Sequence, residues 1–157
     1  MSGPVVNLCQ QENGTRNGSR ADAAILEQIA AFEAGKIARA DWNHRAHLVY
    51  ALVQLLRHGP EQGAVRIRQG ILNYNAVQGI EQTTSGGYHE SLTRFYIWIV
   101  QRFIERADTT LPLHLLADEL WRQCGARELP FQYYSRERLL SWEARTEWLE
   151  PDLRPLC

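Results

Sequence analysis

The chain has 157 residues, 45% of them apolar and 22% charged, with a formal net charge of −1. That length fits one domain with its own core. The near-neutral balance gives no electrostatic case for nucleic acid or an anionic membrane, which draw on a basic excess. No stretch approaches the ~18 uninterrupted apolar residues of a membrane span. The start, MSGPVVNLCQQENGTRNGSR, lacks the basic and apolar regions of a secretory signal. Cys9, Cys124 and Cys157 are spaced like neither a zinc knuckle nor a CxxC pair, so reduced thiols in a cytoplasm are expected.

In chain order, residues 1–20 are rich in Gly, Asn, Ser and Gln without a period, and read as a flexible lead to a helical domain over 21–157. Asp22 is the expected N-cap of a first helix that Gly35 stops, with Ile25, Leu26, Ile29 and Phe32 on one face. Asp41 would cap a second helix, which runs to His58 and stops at Gly59-Pro60. Pro60 opens a third, carrying Ala64, Ile67, Ile71 and Tyr74, although Gly63 and Gly70 weaken it. A loop of Thr, Ser and Gly over 83–87 leads into a fourth helix, from Tyr88 to Ala107. A fifth follows Leu111-Pro112 and ends at Gly125, and Ser135 and Ser141 would cap two short helical pieces. No strand alternation and no repeat is visible, so the expected fold is all-α: a bundle of four or five helices with an aromatic, Arg-rich C-terminal segment.

Two segments carry candidate chemistry: WNHRAHL at 42–48 and GGYHESLTRFY at 86–96. Residues three apart on a helix lie on neighbouring positions of one face, so His44 and His47 can aim at one point on the rim of the stripe formed by Leu48, Leu52, Leu55 and Leu56. His89 falls on the edge of the stripe of Tyr88, Leu92, Phe95, Tyr96, Ile99 and Phe103, while Glu90 points nearly the other way. All three histidines sit in first turns and meet only if those helix ends lie together. Three neutral imidazoles and an open position would suit a divalent metal such as zinc, iron or nickel. A metal-free acid/base or ligand-binding site, and plain packing, remain as alternatives. Glu90 would serve as general base or, with Gly87 as N-cap, as a capping carboxylate at N3. Tyr88 and Thr93 would position substrate or water. His58 reads as structural and His114 as exposed.

Together with the ending YYSRERLLSWEARTEWLEPDLRPL, these segments resemble a family of small, largely uncharacterised all-helical bacterial proteins. That family's pattern is His-x-x-His-Leu, Tyr-His-Glu-Ser/Thr-x-Thr and a terminal Tyr-Ser-Arg…Pro-Asp-Leu-Arg-Pro-Leu. The likeness runs from about Phe32 to the end and matches at His44, His47, Tyr88, His89, Glu90 and Thr93; it implies coherence of the site and no particular reaction. The leading functional expectation is a metal-dependent hydrolase, lyase or isomerase acting on a small, anionic substrate. A metal-free binding module and an oligomerising protein with an aromatic face are the alternatives. The terminal aromatics, with Arg136, Arg138 and Arg145, would form either a strap docked on the bundle or a flap over the histidines.

Overall fold

The computed structural model describes residues 8–157, with side chains from 20 onward. Among them there is no strand, and the helices are α1 (Leu8–Glu33), α2 (His44–Val77), α3 (Glu90–Arg106), α4 (Leu113–Cys124), α5 (Arg136–Leu139) and α6 (Trp142–Thr146), with a 3-10 turn over Leu129–Gln132. The all-α bundle is therefore as expected. Residues 1–7 of the expected lead lie outside the described residues. α1 already includes 8–20, so Asp22 is an interior residue of α1 and not its N-cap. Its carboxylate caps a different helix: Oδ1 accepts from His114 N at 2.8 Å, at the start of α4, where the Pro112 N-cap offers no side-chain acceptor.

α2 is a hairpin, its helical arms joined at Gly59, whose φ of 79° and ψ of 177° no helix allows. Tyr50 donates its hydroxyl to the Arg66 carbonyl, and Trp42 lies 5.8 Å from Tyr74 by ring centroid. Contacts between residues sixteen and thirty-two apart require the second arm to run back along the first. The Gly59-Pro60 reading of a stop and a restart is thus right. Gly63 and Gly70 have a different meaning from weak helix propensity. They are where the arms touch: a Cβ on Gly63 would stand 2.9 Å from Leu55 Cα, and one on Gly70 would run into the Tyr50 hydroxyl.

The remaining helix ends follow local chemistry. Gly35, at φ 70°, ends α1. Asn43, not Asp41, caps α2, its side chain accepting from Ala46 N at 2.9 Å. Ser135 and Ser141 cap α5 and α6 as expected. No helix of the described residues is long and apolar enough to cross a membrane.

The main core joins α1 to α4 around Phe32, Leu48, Leu52, Tyr74, Val100 and Leu120. Burying each such side chain stabilises by roughly 1.5–3 kcal/mol. A second cluster sets Phe95 and Ile99 of α3 against Tyr133, Tyr134 and Leu139. The C-terminal segment is thus a docked strap here. The Tyr134 hydroxyl donates to the Leu149 carbonyl at 2.6 Å, Ser135 N donates to the Asp152 carboxylate, and Arg138 Nε donates to the Glu150 carbonyl.

Candidate functional site

A cleft of about 400 Å³ opens between the two arms of α2, the first turns of α3 and the loop between them. His44, His47 and His89 all line it, so the first turns of α2 and α3 do share one end of the bundle. The hairpin makes this possible. Its second arm returns to the level of His44, and Arg68 on that arm holds the start of α3 through Tyr88 and Glu90. The other walls are mostly apolar, with Leu48 and Ala51 from one arm, Ile67 and Ile71 from the other, Ile80 from the loop, and Leu92 and Ile97 from α3.

Sharing a cleft does not make the three rings equivalent. His47 stacks on Trp42 at 3.9 Å between centroids, and Trp42 stacks on Phe32 at 3.7 Å, so the imidazole is backed by two aromatic layers. Its Nδ1 donates to the Asn43 carbonyl at 2.7 Å. That bond fixes the tautomer and leaves a lone pair on Nε2, for which no protein donor exists among the described residues. Burial pushes its pKa down to about 4, against the Asn43 carbonyl, which favours the charged form; the nearby His44 lowers it further.

His44 lies edge-on to Tyr96 (5.2 Å) and Trp121 (5.6 Å). Its Nε2 is buried without a hydrogen-bond partner among the described residues. Burial and then the Arg127 charge lower its pKa, opposed by the Gly125 carbonyl. Both rings are therefore neutral near pH 7.

His89 is spent on structure. It, and not Gly87, is the N-cap of α3: Nδ1 accepts from Leu92 N at 3.1 Å, and Nε2 lies 2.8 Å from the Leu139 carbonyl. An accepting Nδ1 puts the proton on Nε2, so no lone pair is left to ligate an ion. The expected third metal ligand is corrected on this point. Among the described residues, no group of three or more His, Cys, Asp or Glu side chains stands close enough to hold a metal.

Glu90 is the first residue of α3, not N3, and does not line the cleft. Its Oε1 pairs with Arg68 at 2.8 Å, and its Oε2 accepts the Tyr88 hydroxyl at 2.6 Å. A carboxylate so neutralised is a poor candidate for the expected general base. Tyr88 lines the cleft, but burial and the Glu90 bond hold its hydroxyl proton, with a pKa pushed up to about 12. Thr93 lines the cleft, one turn beyond His89. The strap arginines do not reach it: Arg138 bonds a strap carbonyl, Arg136 stands over Phe131, and Arg145 donates to the Gly87 carbonyl.

Sequence reasoning missed Trp42, Asn75 and Ile80 as lining residues. A signal existed for Asn75, because Ile67, Ile71 and Asn75 form one row at i, i+4 spacing and a polar residue ends it. Comparison of the chain with family models, curated proteins and solved structures returns no match. The resemblance named above therefore rests on its motifs alone. What the arrangement offers chemically is two neutral imidazoles at the polar end of an apolar cleft.

Proposed function

We propose that the protein binds a small, largely apolar molecule in this cleft, with the molecule's polar end met by His44, His47 and Thr93. One observation carries the reading: the free lone pair on Nε2 of His47, in a cleft whose walls are mostly apolar. An acceptor with no protein donor in such walls gains by meeting a ligand's donor, on the order of 1 kcal/mol. The volume also falls within the ordinary range for small-molecule sites.

The metal-dependent hydrolase, lyase or isomerase is the second reading. It is favoured by the Nδ1 bond of His47 to a backbone carbonyl, the arrangement that commonly orients a metal-bound imidazole. His44 and His47 would then be the protein ligands of zinc, iron or nickel, leaving several positions for substrate and water, with Thr93 as positioning residue. A cytoplasmic setting belongs to the proposal as well, on the cysteine spacing.

Elemental analysis of untagged protein, joined to a screen of aromatic fragments read by the methyl resonances of Ile67, Ile71 and Ile80, tests both. Fragments that shift these methyls in metal-free protein are the expected result. Stoichiometric metal that is lost in a folded His47→Ala variant would replace this reading with the metal centre. Methyls that no fragment moves would overturn it.

A further inference from the structure

We infer that the ligand of this cleft is uncharged and presents an O–H or N–H donor, on an aromatic or alicyclic body, to Nε2 of His47. The inference deepens the binding proposal above and rests on it.

Charge is the first argument. No Lys, Arg, Asp or Glu is among the cleft's lining residues. Around it, Arg68 is already engaged by Glu90 and the Tyr88 hydroxyl, and Arg145 donates to the Gly87 carbonyl. An anionic or cationic ligand would leave water without gaining a counter-charge, which strongly disfavours both. This weighs against the small anionic substrate expected from the sequence.

Polarity is the second. Because Nδ1 of His47 donates to Asn43, its Nε2 can only accept. The ring cannot turn over to offer a proton without breaking that bond. A ligand that brings a donor satisfies Nε2; one that brings only an acceptor sets two lone pairs against each other. Shape is the third. Trp42, Leu48, Ile67, Ile71 and Leu92 supply apolar walls with no hydrogen-bonding side-chain atoms beyond the indole N–H, so the body of the ligand gains by being apolar.

The test titrates the full chain with indole, with benzofuran (which replaces the N–H by oxygen in the same outline) and with indole-5-carboxylate, read by the Ile67 and Ile71 methyl shifts. Indole is expected to bind at least tenfold more tightly than benzofuran, and the carboxylate most weakly at pH 7.5. His47→Leu should bring indole and benzofuran to equal affinity, and His47→Gln, which keeps an acceptor, should restore part of the difference. The wild-type ratio decides the matter should His47→Leu fail to fold. Equal binding of indole and benzofuran, or tightest binding of the carboxylate, overturns this inference and leaves the cleft a binding site. Methyls unmoved by all three ligands overturn the binding proposal itself.

Discussion

His47 is neutral because of where the helix begins. Asn43 starts α2, its carbonyl accepts from both the His47 amide and the His47 ring, and Trp42 covers the ring face. Burial under these layers lowers its pKa to about 4, against the Asn43 carbonyl and below the 6.5 of a free imidazole. Between those two values the unfolded chain binds a proton that the folded chain refuses, so stability falls as pH drops from 6.5 toward 4. A depression of that size corresponds to about 3 kcal/mol at the acid end of the window. His44 and His89 are lowered too and act in the same direction. His47→Phe, which keeps the stack on Trp42, should flatten the stability profile across this window in urea melts at a series of pH values. A profile as steep as that of the wild type would refute the assignment. The lowering at His47 was not readable in the sequence, because it depends on what the fold packs around the ring. Only the fold brings Leu139 to His89.

At the level of helices, the α2 hairpin sets where everything else stands. Its turn was legible, since Gly-Pro between two apolar stripes admits little else. The tightness of the pairing was not. Gly63 and Gly70 look like weak helix residues in one dimension and are points of contact in three. Gly59 adopts φ 79° and ψ 177°, a region essentially closed to residues with a Cβ, although nothing stands within 4 Å of where that Cβ would go. Gly59→Ala should therefore cost roughly 1–3 kcal/mol through backbone conformation alone. Gly70→Ala should destabilise through its clash with Tyr50, and Tyr50→Phe should recover part of that loss but none of the loss at Gly59. Chemical denaturation of the three single variants and of the two double variants that add Tyr50→Phe checks this. Recovery at both glycines would mean that the arms are held in some other way.

Across the whole molecule, the Tyr-His-Glu-Ser stretch proves to be a fastening. Ser91, fully buried, donates its hydroxyl to the Glu147 carbonyl at 2.8 Å and accepts from Leu149 N at 2.9 Å, while His89 reaches Leu139. The sequence marked this stretch as a candidate site; it could not say that His89 and Ser91 meet backbone atoms fifty and more positions away. Ser91→Ala leaves both of those backbone groups without their partner, at about 1–3 kcal/mol. Hydrogen exchange should then quicken at Leu149 and its neighbours while the α2 amides stay protected. Uniform loss of protection would show that strap and hairpin open as one unit.

The distance along the chain between α3 and its fastening has a consequence for birth on the ribosome. Phe95 and Ile99 emerge with their cluster unfilled, since Tyr133, Tyr134 and Leu139 have still to be translated. At roughly 5–20 residues per second, that interval lasts several seconds. During it a nascent chain displays a greasy helical face to every other nascent chain nearby, so translation stalling before Tyr133 produces a sticky fragment rather than a smaller version of the protein.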